Sequence, residues 1–158
     1  MSLTTVLLWF CILGCALLGG LYFAFSAFIM KALREAGQAG VVAMNAINRV
    51  ILRSAFMAFF FGTTLASGTL VVLGAMNLRE ASSPGMILGG VLYVAGMFAV
   101  TMLANVPLNN ALQNVTAESR TGTAIWNDYL HRWTRWNHVR TLSSMGASAL
   151  FLFALLAR

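Results

Sequence analysis

The stretch that decides the fold is Leu3–Met30, LTTVLLWFCILGCALLGGLYFAFSAFIM, 28 residues without a charge. A helix of about 20 apolar residues crosses the ~30 Å hydrocarbon core of a bilayer, so this run is long enough to span it. It has no basic head, and it is too long for the apolar core of a secretion signal. The Ile12-Leu13-Gly14-Cys15 tetrapeptide resembles a lipid-attachment box, but fifteen more uncharged residues follow it. The stretch is therefore read as a membrane helix that stays in the protein.

The rest of the chain repeats the pattern. Its fourteen charged residues fall in four places: five in 31–53, two at 79–80, six in 118–140, and Arg158. Between them lie Ser54–Leu78, the apolar Met86–Ala104 and Thr141–Ala157. With 59% hydrophobic residues, 9% charged and a mean hydropathy of +0.81, the chain lies outside the soluble globular class. Disorder and a disulfide scaffold are excluded as well, the second because there are two cysteines in 158 residues. The fold expected is all-α. It is a single four-span membrane domain over 1–158, with spans of about 3–30, 54–78, 86–106 and 139–157, loops at 31–53 and 107–138, and a juxtamembrane helix before the last span.

Lys31, Arg34, Arg49 and Arg53 sit in the first loop and Arg120, Arg132, Arg135 and Arg140 in the third, against Arg79 and Arg158 elsewhere. The excess of basic residues puts loops one and three in the cytoplasm and both termini outside. The net charge of +6 follows from that topology and calls for no nucleic-acid partner. Membrane lipid is the expected neighbour, and an oligomer is compatible with the composition.

Small residues mark inner helix faces in lipid. Cys11, Cys15, Gly19, Tyr22 and Ser26 form one stripe, Thr63, Ser67, Leu70 and Gly74 a second, and Gly85, Gly89, Tyr93, Gly96 and Val100 a third. The cysteines read as packing residues. Phe59, Phe60, Phe61, Leu150, Leu152 and Leu156 are expected toward lipid. No charged residue lies in the middle of a span, which argues against a pump or ion carrier.

Polar residues gather at the cytoplasmic end instead. Asn48 closes the first loop, and Thr101, Asn105 and Asn109 lie four apart on one face. Pro107 is expected to break or kink that helix. On a helical wheel Trp126, Tyr129, Trp133, Trp136, Asn137 and Arg140 share an arc of about 100°, with His131 and His138 opposite. Asn137 and Arg140 are thus expected inward. Asn48, Asn105, Asn109, Asn137 and Arg140 should converge in one polar pocket, with Asn carbonyls and carbonyls freed around Pro107 as acceptors for the arginine. The bland alternatives are helix caps for the asparagines and an interfacial aromatic belt for the rings. Asn48-Arg49-Val50 echoes Asn137-His138-Val139, as if each opened a span. The histidines are about 10 Å apart on a helix, so they share no metal, and none is placed for a haem between spans.

Met44-x-x-Ile47-Asn48, Asn105-x-Pro107-Leu108-Asn109 and Trp133-x-x-Trp136-Asn137-x-x-Arg140-Thr141, in this order among four spans, resemble the anthrone-oxygenase-like family of small membrane proteins. The resemblance covers nearly the whole chain. It implies oxidation of an anthrone-type, lipophilic aromatic substrate by molecular oxygen at the cytoplasmic mouth. The enolate of such a ketone reacts with oxygen without a bound cofactor, so neither cofactor nor metal is expected. Arg140, Asn137, Asn109 and Asn48 would stabilise the anion, and Trp133, Trp136, Tyr129 and Asn105 would hold the rings. His138 is the neutral-pH base at hand, although the wheel turns it away. A reading from another class is a non-catalytic membrane protein that binds lipid or a partner protein through its basic, Trp-rich juxtamembrane helix.

Overall fold

The computed structural model describes residues 2–113 and 120–158, without the side chains of residues 120 and 121. Residues 114–119 of the expected loop 107–138, and the Arg120 side chain, lie outside the described residues. Five helices make up the described chain: α1 (Leu3–Glu35), α2 (Gln38–Ile51), α3 (Phe56–Met76), α4 (Ser83–Gln113) and α5 (Arg120–Leu156). All but α2 are long and apolar enough to cross a membrane. The protein is a multi-pass, all-α bundle.

Local chemistry accounts for the helix ends. Ser2 caps α1 by accepting the Thr5 N–H. Asn77 ends α3, its amide returning to the Leu73 carbonyl at 2.9 Å, and Ser83-Pro84 opens α4, where proline lacks only a donor that the first turn leaves unused. Gly37 has φ of 60°, which lets α1 stop and α2 start with two residues between them.

The spans form a ring in which α1 packs on α3 and α5, and α4 packs on the same two. The three small-residue stripes face inward as expected: Cys11, Cys15, Thr63, Ser67, Leu70 and Tyr93 are all fully buried. Gly90 shows why small residues are needed. A Cβ there would lie 2.6 Å from the Ser67 carbonyl oxygen, a backbone atom that cannot step aside. Gly90→Ala is accordingly expected to destabilise the protein by about 1–3 kcal/mol through overpacking, read as a lower melting temperature. Gly68→Ala is the control, because a methyl at Gly68 meets nothing within 4 Å.

Several expectations need correcting. The segments read as loops are largely helical. α1 runs on to Glu35, α2 fills much of 31–53, and α4 and α5 extend through most of 107–138. At 1.5 Å per residue the 37 residues of α5 run about 55 Å, well beyond a bilayer core. Asn48 belongs to α2, which ends before α3 begins, while Asn137 lies far inside α5, so the echo between them does not mark two span starts. Pro107 does not break α4. The helix widens just before it into π turns at Val94–Ala99 and Thr101–Asn105, where the Val106 N–H reaches back five residues to the Thr101 carbonyl. The longer register offers room for the proline ring that a regular turn lacks. Phe60 is buried at the centre of an aromatic group with Phe56, Phe61 and Phe98, whereas Phe59 and Phe61 are exposed.

A second apolar core caps one end of the bundle. Met30 of α1, Val41 and Met44 of α2, Leu112 of α4, and Trp126, Tyr129, Leu130 and Trp133 of α5 meet there. Because consecutive spans alternate in direction, the end of α1, all of α2, the start of α3, the end of α4 and the start of α5 share that side.

Candidate functional site

Between this cap and the spans lies a cavity of about 350 Å³, lined by α1, α2, α3, α4 and α5. Its deep end is built around Arg140, which is 6% exposed. The guanidinium lies over the Tyr22 ring at 4.4 Å and over the Trp133 ring at 5.0 Å. Nη2 donates to Asn137 Oδ1 at 2.6 Å and Nη1 to Thr101 Oγ1 at a long 3.5 Å. Nε is buried without a hydrogen-bond partner. No carboxylate reaches this charge among the described residues. Glu35, Glu80 and Asp128 are exposed, and the ion pair Arg132–Asp128 lies on the outer face. The charge is held by aromatic faces and neutral acceptors, an arrangement worth far less than an ion pair and costly to bury.

Asn137 positions the arginine. Its amide donates to the Tyr22 carbonyl and to Ser26 Oγ, both at 2.6 Å, while its oxygen accepts from Arg140. Tyr22 lies just before the π turn Phe25–Ile29 of α1 and Ser26 within it, and the Phe25 N–H is shared between the Leu21 and Tyr22 carbonyls. The loosened ladder leaves the Tyr22 carbonyl within reach of α5.

Asn109 organises the other wall. Its Oδ1 accepts from the Tyr129 hydroxyl and from Trp133 Nε1, each at 2.9 Å, and Asn105 Nδ2 donates to the Trp133 carbonyl at 3.2 Å. Trp126, Tyr129 and Trp133 stack in sequence along α5, with Phe25 tilted against Trp133. Asn48 reaches the cavity from α2, and its Nδ2 is buried with no partner. The remaining lining is mostly apolar, with Met44, Ile51, Phe56, Met57 and Phe60, and adds Asn110 and Gln113 from the end of α4.

The structure therefore brings Asn48, Asn109, Trp133 and Arg140 to one cavity and puts Asn105, Tyr129 and Asn137 directly behind them. None of these asparagines is a helix cap; all four sit within helices. The pocket is more apolar than expected, with polarity confined to its deep end and one wall. Arg140 takes Asn137 and Thr101 as acceptors rather than carbonyls near Pro107. Two expected site residues lie elsewhere. His138 is exposed on the far face of α5, as the wheel indicated, and Trp136 is 39% exposed at the edge of the arc and does not line the cavity. Trp126, Tyr129 and Trp133 are packed inside the protein, so they do not form an interfacial belt. Tyr22 and Thr101 join the site as partners of Arg140. The small-residue stripe of α1 is the sequence signal for Tyr22, and the four-residue spacing with Asn105 and Asn109 is the signal for Thr101. The aromatic wall at Phe56 and Phe60 carried none.

Among the described residues no group of three or more His, Cys, Asp and Glu is placed to hold a metal ion. No curated protein and no solved structure matches the chain. The family model described as anthrone oxygenase matches residues 53–150. That segment begins after α2, so Tyr22 and Asn48 lie outside it. Thr101, Asn137 and Arg140 of the deep end, and Asn105, Asn109 and Trp133 of the other wall, lie within it. The match takes in well over half of the sequence, and on that footing the chain belongs to the anthrone oxygenase family.

Proposed function

We propose that the protein is an oxygenase that binds a lipophilic aromatic ketone of anthrone type as its enolate and lets molecular oxygen attack it. The observation that carries this reading is the buried Arg140 guanidinium, facing a largely apolar cavity with no carboxylate beside it among the described residues. A buried cation without a counter-ion costs several kcal/mol, which an anionic ligand offsets. The cavity volume falls within the range of about 300–1,000 Å³ usual for small-molecule sites. The Trp133 and Tyr22 rings suit a flat ligand body.

The methylene between the two rings of an anthrone is acidic, because its anion is delocalised onto the ketone oxygen. Arg140 and the unpaired Asn48 amide are the donors proposed for that oxygen, and they favour the anion electrostatically. Among the described residues the lining includes neither histidine nor carboxylate, so the proposed proton acceptor is a water molecule inside the cavity. Oxygen then forms a bond to the methylene carbon and, with a proton, gives a hydroperoxide. Loss of the second hydrogen from carbon with cleavage of the O–O bond yields the second ketone and water. The carbon gives up four electrons and the oxygen molecule takes four, so no further reductant is needed. We place this end of the bundle in the cytoplasm, following the basic residues of the first and third inter-span segments.

Purified protein given dihydroxyanthrone should consume oxygen above the buffer rate, with one molecule of oxygen used per anthraquinone formed. No acceleration across a series of anthrones removes the enzyme reading. His138→Ala should leave kcat/KM within about twofold of the parent, since an exposed group on the far face moves no proton in the cavity. A large drop would return His138 to the role of base. The lipid- or partner-binding reading is weakened because three of the four aromatic residues it relied on are buried within the protein.

A further inference from the structure

The deep end of the cavity holds the charge, but the rim is a different surface. Leu52, Phe61 and Met102 line the cavity and are also 63%, 47% and 45% exposed. They lie where α3 and α4 part. At the Gly90–Ser67 crossing the two helices approach backbone to backbone, whereas the Thr101–Gln113 half of α4 packs on α2 and α5 instead of α3. The cleft that results widens toward the capped end. Phe60 and Phe61 line it, and Phe98 backs them, with ring centroids 5.2 to 6.3 Å apart. Phe61 is five residues into α3, about 8 Å below its start. Phe59 and Leu103, close by in α3 and α4, are exposed as well, an outer surface apolar enough for the hydrocarbon of a membrane.

We propose that ligand enters the cavity sideways from the bilayer, through a portal between the first turns of α3 and the Thr101–Gln113 half of α4, passing Leu52, Phe61 and Met102. The occupant is a flat, lipid-dissolved aromatic molecule. The identity of that molecule rests on the anthrone reading; the route does not. Such a compound is far more concentrated in lipid than in water, and this rim presents no charge that it would have to desolvate. Met57 and Met102 are unbranched and flexible enough to let a rigid ring pass.

The route is tested in nanodiscs whose phosphatidylcholine carries bromine on its acyl chains. Trp133 lines the cavity, so the protein is prepared with Trp9, Trp126 and Trp136 replaced by phenylalanine. Brominated chains should quench the fluorescence of Trp133. Narrowing the portal with Leu52→Phe and Met102→Phe should at least halve that quenching, and widening it with Phe61→Ala should increase it. In otherwise native protein the narrowed portal should slow dihydroxyanthrone association and dissociation alike, by about tenfold, because a gate is passed in both directions. Quenching that is absent, or equal in open, narrowed and widened forms, overturns the proposal. If quenching follows the portal but dihydroxyanthrone neither binds nor is oxidised, the route stands and the anthrone reading falls. If dihydroxyanthrone is oxidised while quenching ignores the portal, the route falls alone.

Discussion

Arg140→Met should lower kcat/KM for anthrone oxidation by about a hundredfold or more while changing stability by no more than about 2 kcal/mol. The two effects separate because the arginine contributes little to the fold and much to the proposed chemistry. Its charge is buried against rings and neutral oxygens, with Nε unpaired, so an apolar side chain of similar length removes a desolvation cost. The offsetting loss is the bond to Asn137 Oδ1, a few kcal/mol at most. The enolate, by contrast, loses the one cationic neighbour that the described residues place in the cavity lining. Arg140→Lys keeps the charge but not the planar fork that meets Asn137 and Thr101 together, and it should also lose most of the activity. Oxygen uptake across substrate concentrations, paired with thermal unfolding of each variant, checks this. A Met variant that melts far below the parent yet turns over normally while folded would make Arg140 a structural post and sink the assignment.

Asn137→Leu should be the most destabilising single change in the site, by about 3–5 kcal/mol, because it leaves a buried charge without its best partner. One side chain joins α5 to α1 through the Tyr22 carbonyl and Ser26 Oγ and holds the arginine as well. Leucine fills the volume and satisfies none of these groups. Asn137→Asp is the informative companion. The carboxylate restores a partner for Arg140 but points an oxygen at the Tyr22 carbonyl, so its stability should fall between the parent and the Leu variant. Its activity should still drop by about tenfold or more, since an adjacent anion cancels the charge offered to the enolate. Unfolding midpoints rank the three proteins, and anthrone kinetics on the folded fractions separate the electrostatic effect. An Asp variant with parental activity would mean that the positive charge is not what the substrate uses.

Much of this architecture is readable without coordinates. The gaps between charges count the spans, because a bilayer core imposes a minimum apolar length that the gaps meet. The stripes ending at Ser26, Gly74 and Val100 identify the inner faces, because close helix approach in lipid requires small side chains at a helical period. The wheel over Trp126–Arg140 turns Asn137 and Arg140 inward and His138 outward, and this held because α5 is one unbroken helix. The same wheel misplaced Trp136. It lies at the edge of the arc, where the neighbouring helices rather than the angle decide burial. Pro107 misled for a related reason: the rule that proline breaks a helix assumes regular turns before it, and α4 has widened there. The segment 31–53 looked like a loop because its charges and Gly37 interrupt the apolar period, although Val41, Met44 and Asn48 keep a helical spacing in α2.

Span number, inner faces and the end at which polar residues collect depend on neighbours within a few turns, and the sequence by itself determined them. The cavity, its side opening and the partners of Arg140 were decided only by the tertiary structure. Asn137 meets the Tyr22 carbonyl and Ser26 across 115 and 111 residues of chain, and Arg140 meets Thr101 across 39. No local pattern encodes such meetings, because they depend on how far each helix slides and rotates against the next. The lack of a carboxylate near Arg140 among the described residues is likewise a fact of arrangement. The chain carries four acidic residues, and only packing decides how far each lies from the guanidinium.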